Sequence, residues 1–417
     1  MNEPFDVAIV GGGMVGASLA VALEGLNVRV ALIEAVPLTA ASQPSFDERT
    51  TALSNGSRRI LDTLGVWASV SAMAAPIRKI HVSDQGHFGF ARIDAAEQGL
   101  SAMGYVVPNR SLGSALWSRL AQSPSMRVFC PAQVLGIKAG EHSVELNLRS
   151  TEVGASGSES ASAAAGETIE ARLIVAADGA QSAVRTAFGI AAESRDYEQT
   201  AVTTAVLPQR FHDHVAYERF TDSGPLALLP LADGRCTLVL TLKPATAERA
   251  LAWSDEEFLA ELQRRFGFRL GRFLKVGRRV GYPLFLTRSD RTSAGRCVII
   301  GNAAQGLHPV AGMGFNLGLR DVACLAELVA EHRGTDLGDG RLQAQYDTWR
   351  AADRAGIIAF TDRLVRLFSN PLVVVQRLRN LGLLAFDLMG PAKGALSRLS
   401  TGAAVRIPKL ARGVALR

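Results

Sequence analysis

Three glycines near the amino terminus have the spacing needed to bind a ligand that contains phosphate. Gly11, Gly13 and Gly16 form a G-x-G-x-x-G pattern between an apolar stretch, Val7 to Val10, and a run of small residues typical of a helix. The first glycine allows a tight turn, the second lets backbone N–H groups approach a pyrophosphate, and the third lets helix and strand pack closely. The pattern predicts a dinucleotide site.

An acidic residue completes this unit. Val28 to Ile33 is a second stretch with strand character, and it is followed by Glu34. A carboxylate at this distance from the glycines accepts hydrogen bonds from an adenosine ribose. Strand, glycines, helix and acid in register favour a dinucleotide site over a glycine-rich structural turn. They do not choose between NAD, NADP and FAD.

A second signal follows a strand in the middle of the chain. The apolar stretch that ends at Val175 leads into Asp178 and Gly179, a turn of small residues, and a predicted helix that carries Arg185. Asp178 is the acidic side chain of this turn, and Arg185 is either a functional residue or a partner in a structural ion pair.

A third signal follows another apolar strand, Val298 to Ile300. The chain then turns through a proline- and glycine-rich segment into a helix that is predicted to begin near Gly314. Backbone donors at such a helix start suit a phosphate or an electron-rich ring oxygen. The candidate residues of this segment are Gly301, Asn302, His308, Pro309, Gly312, Gly314 and Asn316.

Two arginines precede or begin predicted helices. Arg49 stands just before a helix predicted over residues 51–64, and Arg110 lies in the first turn of a helix predicted over residues 108–122. Arg49 is either a functional residue, or a surface charge or partner in a salt bridge at the helix start.

Length and patterning indicate two packed domains in this 417-residue chain. Alternating β-rich sequence from Tyr197 to Leu242 interrupts the βα pattern, and a polar insert over 150–166 separates two strands. We predict an α/β fold with a discontinuous Rossmann-like domain, an inserted β-sheet substrate domain and a helical C-terminal region. Their bounds are 1–75, 100–190 and 290–340 for the first, 76–99 and 191–289 for the second, and 341–417 for the third.

Composition predicts a reduced, cytoplasmic protein. Hydrophobic residues make up 48% and charged residues 20%, and the net charge of +6 comes without a basic run interleaved with aromatics, so we expect no nucleic-acid partner. The four cysteines lack metal or C-x-x-C spacing, so no metal is expected. Neither a signal peptide nor a membrane span is recognisable. Arginines of the last region serve either a peripheral contact with the inner face of the plasma membrane, a partner enzyme, or a solvated helix face: Arg363, Arg366, Arg377, Arg379 and Arg398.

The three motifs, in this order, resemble those of the class A FAD-dependent aromatic hydroxylases, which have the para-hydroxybenzoate hydroxylase fold. Within that family, FDERTTALS and GNAAQGLHPVAGMGFNLGLRD look like the ubiquinone-biosynthesis hydroxylases, most of all the 2-polyprenyl-6-methoxyphenol hydroxylase branch. The wider family has Gly-Asp where this chain has Gly301 and Asn302, so a carboxylate is lost. The asparagine amide oxygen can still accept a hydrogen bond.

The resemblance implies FAD as cofactor and NADPH or NADH as co-substrate. Gly11, Gly13 and Gly16 would then bind the pyrophosphate, and Glu34 the ribose. Contacts with phosphate or ribityl oxygens are implied for Arg49, Arg110 and Asn302, contacts with FAD and the NAD(P)H path for Asp178, and contacts with the isoalloxazine for Pro309 to Asn316.

The same resemblance implies an NAD(P)H-dependent monooxygenase in which reduced FAD activates O₂ and an oxygen atom is transferred to an electron-rich phenol. The flavin carries this chemistry, while the protein orients the ring and excludes water. No protein nucleophile is expected. His308 is either an acid or base, or a structural neighbour of the flavin.

Three alternatives were weighed against this interpretation. A flavin halogenase would carry a W-x-W-x-I-P segment, whereas every tryptophan here is isolated. A hydroxylase of another ring position, or of an unrelated phenol, would share nearly all these motifs. A non-catalytic flavin-binding subunit of a quinone-synthesis complex would share them too. The ring position, prenyl length, reductant preference and oligomeric state are left open.

Overall fold

The structure is a computed structural model that describes residues 3–37, 49–87, 89–123, 125–150, 166–368, 387 and 406–416. In chain order its strands are β1 Phe5–Val10, β2 Val30–Ile33, β3 Thr50–Ser54, β4 Ala75–Ile77, β5 Lys79–Asp84, β6 Phe90–Asp94, β7 Gly104–Pro108, β8 Met126–Phe129, β9 Ala132–Ala139, β10 Val144–Ser150, β11 Glu167–Ala176, β12 Ala192–Pro208, β13 Val215–Thr221, β14 Gly224–Pro230, β15 Cys236–Leu242, β16 Phe273–Val276, β17 Val280–Ser289, β18 Ser293–Ala294, β19 Cys297–Ile299 and β20 Gln305–Gly306. Its helices are α1 Met14–Leu23, α2 Asn55–Thr63, α3 Trp67–Val70, α4 Asn109–Leu120, α5 Ala183–Ala187, α6 Pro244–Ala252, α7 Asp255–Phe266, α8 Met313–Glu331 and α9 Arg341–Phe368.

The first sheet has eight strands in the order β18-β19-β11-β1-β2-β8, with β10 paired to β11 and β9 paired to β10. Strands β19, β11, β1 and β2 run parallel. The carboxyl ends of parallel strands meet at one edge of a sheet, which is where ligands of open α/β sheets bind. Because β1, β11 and β19 each lead directly into one of the three sequence motifs, the sheet brings the motifs together.

The second sheet has nine strands in the order β20-β17-β12-β15-β14-β13-β5-β6, with β16 paired to β12. Successive side chains of a strand point to opposite faces. One face packs against α6 and α7 in a core that includes Leu226, Leu238, Phe258 and Leu262. The other face, here called the roof, covers the edge of the first sheet at which the motifs meet.

A small sheet, β3-β7-β4, joins the two larger ones and corrects one prediction. The helix predicted over 51–64 begins only at Asn55, and Ser54 caps it by accepting a hydrogen bond from the Ser57 backbone N–H. Thr50 and Thr51 instead form a strand that pairs with β7. Their β-branched side chains favour this conformation. Arg49 therefore precedes a strand and not a helix.

Other sequence-based expectations are confirmed. The α/β class is observed, and α4 lies within the range predicted for it. Helix α7 begins with a capping box formed by Ser254 and Glu257. The strands that flank the polar insert, β10 and β11, pair antiparallel, while residues 151–165 of that insert lie outside the described residues. In the described part of the chain, every helix is too short or too polar to cross a membrane.

Candidate active site

A cleft of ≈ 2450 Å³ lies between the motif edge of the first sheet and the roof. Most of the predicted site residues line this cleft, whereas Gly16, Gly301 and Asn316 do not. The lining residues among them are Gly11, Gly13, Glu34, Arg49, Arg110, Asp178, Asn302, His308, Pro309, Gly312 and Gly314.

The first turn is built from close backbone contacts. Gly11 has φ +103°, and a Cβ there would lie 2.5 Å from the Ala177 carbonyl oxygen. A Cβ on Gly16 would lie 1.9 Å from the Gly11 carbonyl oxygen, so this glycine serves packing behind the cleft. Gly13 begins α1 without a side-chain cap, which leaves the N–H groups of the first helical turn to bind an anion.

Glu34 is buried beside this turn. Its Oε2 accepts from the Gly12 backbone N–H at 2.6 Å, and its Oε1 accepts from the Val36 N–H at 2.8 Å. Each carboxylate oxygen has a further lone pair that can accept from a ribose hydroxyl. Glu34 thus shapes the glycine turn as well as lining the cleft.

Two residues of this turn were missed by sequence reasoning. The Trp117 indole N–H donates to the Gly12 carbonyl oxygen at 3.0 Å, and a Cβ on Gly12 would lie 2.7 Å from the Trp117 ring. Gly12 is therefore required by its neighbours, although the motif pattern leaves that position unspecified. The only signal in the sequence was the run of three glycines.

The second turn offers an unused acceptor. Asp178 Oδ2 accepts from the Val184 backbone N–H at 3.2 Å, while its buried Oδ1 has no hydrogen-bond partner in the described part of the chain. A buried acceptor without a partner is costly, and a hydroxyl donor of a ligand would satisfy it. Arg185 donates to the Ala303 carbonyl oxygen at 2.9 Å and so ties the second turn to the third. This contact is structural, but with a carbonyl and not with the ion-pair partner that was considered.

The third turn is held by a buried ionic network that sequence reasoning missed. Asp321 on α8 is fully buried, and its Oδ2 accepts from the Gly301 N–H at 3.1 Å and from Gln305 Nε2 at 2.7 Å. Its Oδ1 pairs with Arg350 at 2.8 Å, and Arg350 also pairs with Asp353 at 2.5 Å. The carboxylates favour the charged form of Arg350 and keep its pKa high despite burial. This network positions the turn from behind.

Helix α1 meets the third turn through a single valine. A Cβ on Gly301, which has φ +58°, would lie 3.1 Å from the Val15 side chain, and a Cβ on Gly318 would lie 2.9 Å from it. Val15 also lines the cleft. The glycines therefore allow α1, α8 and the third turn to come into contact beside the cleft.

Asn316 ties the third turn to β3. Its Oδ1 accepts from the Ser54 N–H at 2.8 Å, and its Nδ2 donates to the carbonyl oxygens of Ala52 at 2.8 Å and Gly312 at 2.6 Å. Both amide donors are thus used by the protein. A contact between Asn316 and the isoalloxazine stays a prediction of the resemblance, whereas a positioning role follows from these bonds.

His308 is a neutral imidazole in this structure. Burial lowers the pKa of His308 to about 4, and its Nδ1 accepts from the Val310 N–H at 3.1 Å. The proton therefore resides on Nε2, which is buried without a hydrogen-bond partner among the described residues. The ring edge contacts Tyr197, with the centroids 5.2 Å apart. Near neutral pH His308 is thus a weak base and a donor, which favours its structural or flavin-neighbouring role.

The two predicted arginines lie on neighbouring segments, because the Arg49 carbonyl oxygen accepts from the Asn109 backbone N–H at 2.9 Å. The Arg49 guanidinium lies 4.5 Å from the centroid of the Tyr282 ring on β17, so it spans from the small sheet to the roof. Arg110 is exposed in the first turn of α4. Both line the cleft, and their contacts with a cofactor stay predictions.

Comparison with known proteins decides which dinucleotide fits this site. A sequence model of the FAD binding domain matches residues 4–361. The chain belongs to this family. It is 40% identical over 417 residues to the ubiquinone hydroxylase UbiL of Rhodospirillum rubrum. The aligned region covers 99% of this chain and 93% of that relative. It is 32% identical over 400 residues to the 3-demethoxyubiquinol 3-hydroxylase of Escherichia coli, covering 94% and 97%.

The fold is shared with a solved member of the flavin monooxygenases. The p-nitrophenol 4-monooxygenase PnpA of Pseudomonas putida superposes with a TM-score of 0.76 at 18% identity and covers 97% of this chain and 100% of that one. The predictions of FAD as cofactor, of the flavin hydroxylase fold and of an FAD-dependent aromatic hydroxylase are confirmed.

The residues present fit FAD. The uncapped start of α1 suits a diphosphate, the unpartnered Asp178 Oδ1 suits a ribityl hydroxyl, and the close turn at Gly11 leaves no room for a side chain. The arrangement can therefore bind the extended cofactor along the motif edge, with its ring system under the roof.

Proposed function

We propose that this enzyme hydroxylates the ring of a polyprenylated phenol in ubiquinone biosynthesis, with NAD(P)H and O₂ as co-substrates. The first candidate step converts a 2-polyprenyl-6-methoxyphenol to the benzoquinol. The observation that supports this most is the continuous cleft. The three motif turns, which follow β1, β11 and β19 and are here called the cradle, open directly into a space under a roof of mostly apolar residues. The names of the two curated relatives support a quinone-precursor substrate.

The chain's own residues bind the cofactor, orient the substrate ring and exclude water. FAD, when bound, supplies the redox chemistry that activates O₂. Backbone donors at the start of α1 would bind its diphosphate, and Asp178 Oδ1 would accept from its ribityl chain. The roof keeps water from the reacting ring, and a wet site would release hydrogen peroxide in place of product.

The cleft also offers a path for a prenyl chain. Phe285 on β17 lines the cleft from the roof sheet, and it is 46% exposed. Large apolar side chains at the mouth of a cavity favour an apolar ligand that extends outward. A short phenol has no use for such a surface, whereas a polyprenyl tail does.

We propose in addition a peripheral location at the inner face of the plasma membrane, where prenylated substrates dissolve. The exposed apolar mouth and the net charge of +6 favour contact with anionic lipid. Of the five arginines considered for this contact, Arg363 is exposed on α9, Arg366 pairs with Asp362 at 2.7 Å, and Arg377, Arg379 and Arg398 lie outside the described residues. Flotation with vesicles of phosphatidylglycerol and phosphatidylethanolamine tests the contact. Protein that does not float with the vesicles would contradict it.

A second candidate is hydroxylation at another position of the same ring. The Escherichia coli relative, named for a 3-hydroxylation, supports this alternative. A non-catalytic flavin-binding subunit of a quinone-synthesis complex is a third possibility, and phenol-stimulated NAD(P)H oxidation by the purified protein would contradict it.

The deciding experiment is mass spectrometry of quinone intermediates in aerobic cells that lack this gene. Accumulation of 2-polyprenyl-6-methoxyphenol, cleared by the wild-type protein but not by a Gly13→Val variant, supports the first step and its flavin dependence. Gly356→Ala is the matched control, because its Cβ would meet nothing within 4 Å. A later methoxyquinone intermediate would move the enzyme to another ring position, and an unchanged quinone pool would overturn the pathway.

A further inference from the structure

One carboxylate faces the cleft from the middle of the roof. In the register of the nine-stranded sheet, Glu218 on β13 lies directly opposite Val82 on β5 and Ala227 on β14. Continuing this register in both directions gives one row of seven residues, all of which line the cleft: Ala91, Val82, Glu218, Ala227, Val239, Thr203 and Val280. Glu218 is the one ionisable member of this row.

Glu218 has no protein partner in the described part of the chain. The next residue, Arg219, belongs to the other face of the sheet, where it donates to the Arg265 carbonyl oxygen at 2.9 Å and to Ser83 Oγ at 3.3 Å. Burial alone raises the pKa of Glu218 to about 7. No charged side chain contributes to that shift, including Asp362 on α9 and the titratable Tyr197 and His308 near the turn.

The carboxylate lies next to residues that pack on the third turn. Val82, opposite Glu218 in the register, and Phe220, two residues along β13, both belong to the apolar cluster that contains Val310. Val310 follows His308 and Pro309 in the third motif. Glu218 is therefore near the end of the cleft where the redox-active ring of FAD is proposed to bind.

We propose that the Glu218 carboxylate accepts the hydrogen bond of the substrate's ring hydroxyl and thereby orients the phenol under the roof. An unpaired carboxylate in an apolar cavity is costly, and a ligand that donates an O–H recovers part of that cost. A charge-assisted O–H···O⁻ bond is stronger than a neutral one and has a defined direction. This assignment rests on the proposed phenolic substrate and names the residue that recognises it.

The test compares a phenol with its methyl ether. The oxidised, FAD-loaded, full-length protein is titrated with 2-geranyl-6-methoxyphenol and with the O-methyl ether of that compound, and binding is followed by the absorbance of the flavin and by equilibrium dialysis. We expect the wild-type protein to bind the phenol about tenfold or more tightly than the ether, because only the phenol donates. Glu218→Leu, which keeps the bulk and removes the acceptor, should abolish this preference, and Glu218→Gln should leave a reduced one.

A neighbour in the same row supplies the control. Thr203→Val alters a polar residue that lines the cleft but leaves the carboxylate, so the preference should persist. In the wild-type protein the preference should fall as the pH drops below about 7, and Glu218→Leu should show no such dependence.

The outcomes separate this assignment from the function on which it rests. If the wild-type protein hydroxylates the phenol and Glu218→Leu keeps the full preference, Glu218 is not the anchor but the phenol hydroxylase stands. If the wild-type protein binds neither probe and neither stimulates NAD(P)H oxidation, the phenolic substrate is wrong and the anchor falls with it. A wild-type protein that binds the ether as tightly as the phenol also overturns the anchor.

Discussion

The two walls of the cleft are built in opposite ways. On the cradle side, backbone groups of three short turns line the cleft beside the carboxylates of Glu34 and Asp178, and each turn directly follows a parallel strand of one sheet. On the roof side, single side chains from strands far apart in the sequence form rows across a sheet. The cradle suits a cofactor common to many enzymes, because its turns present backbone groups in fixed positions to phosphate and hydroxyl groups. The roof can determine which substrate binds, because the side chain at each position of a row can be substituted without altering the backbone.

The comparison also separates two sources of rigidity. The cradle is fixed by contacts that tolerate no added atom, such as a Gly16 Cβ at 1.9 Å from a carbonyl oxygen. The third turn depends in addition on buried charges that lie behind it. The roof has neither constraint over the cleft, so variation there should affect recognition more than folding.

Removing Asp321 should show that the cradle is not purely local. Asp321→Ala leaves Arg350 with one carboxylate in place of two, and it leaves the Gly301 N–H and the Gln305 amide without their acceptor. Breaking a buried ion pair costs about 3–5 kcal/mol of the free energy of unfolding. Denaturant titration of the FAD-loaded protein measures this. Glu167→Ala, which breaks an exposed pair with Arg127, should cost about 0.5 kcal/mol, and equal losses in both variants would contradict the role of the network.

Filling the first turn should abolish cofactor binding. Gly11→Val places a side chain against Ala177 and at a positive φ, so we expect a loss of about 3 kcal/mol of stability and of at least about 100-fold in FAD affinity. Flavin fluorescence during dialysis measures the affinity. Gly65→Val, with φ +72° but open space, should cost only about 1–2 kcal/mol and retain FAD. Retention of FAD by Gly11→Val would show that the cradle tolerates more than its geometry allows.

Two asparagines distinguish positioning from contact. Asn316→Leu removes three hydrogen bonds to backbone groups and should lower stability by about 2 kcal/mol, with a smaller loss of FAD affinity. Asn302→Leu changes an exposed residue that lines the cleft and should weaken FAD binding with little effect on stability. Thermal unfolding and FAD titration of both variants provide the readout. The reverse pattern would exchange the roles assigned to the two residues.

The roof should show the smallest effect on stability, and one of opposite sign. Because the folded-state pKa of Glu218 is raised from 4.5 to about 7, the wild-type protein loses stability as the pH rises through this window. Glu218→Gln carries no charge and avoids that loss. Without substrate, the variant should be more stable than the wild type by about 1–2 kcal/mol above pH 7, after allowance for water in the cleft, and equal to it near pH 4. A difference that is independent of pH would mean that Glu218 titrates normally.

The sequence predicts the cradle well because each turn is encoded in one continuous segment. Strand, glycines and helix follow each other within a few residues, so their spacing is visible without a structure. The contact between Gly12 and Trp117 was not predictable, since it joins residues 105 positions apart. The apolar spacing around Ala52 and Leu53 fits both helix and strand, and only the pairing with β7 decides between them.

The roof could be predicted as a sheet but not as a site. The alternating sequence from Tyr197 to Leu242 indicates strands, and β14 and β15 within it form a hairpin. In the segment that contains Glu218 and Arg219, however, two charged residues are adjacent, and the sequence does not say which one faces the cleft. That choice is made by the register across β5, β13 and β14.

The contact of Val15 with Gly301 and Gly318 also has an evolutionary consequence. Its methyl groups occupy the space that a Cβ on either glycine would need, at 3.1 Å and 2.9 Å. These three positions, one from the first motif and two from the third, therefore cannot drift independently. A homologue that carries alanine at the position of Gly318 should carry a smaller residue at the position of Val15, so the pair should covary even though each residue taken alone would be read as part of its own motif.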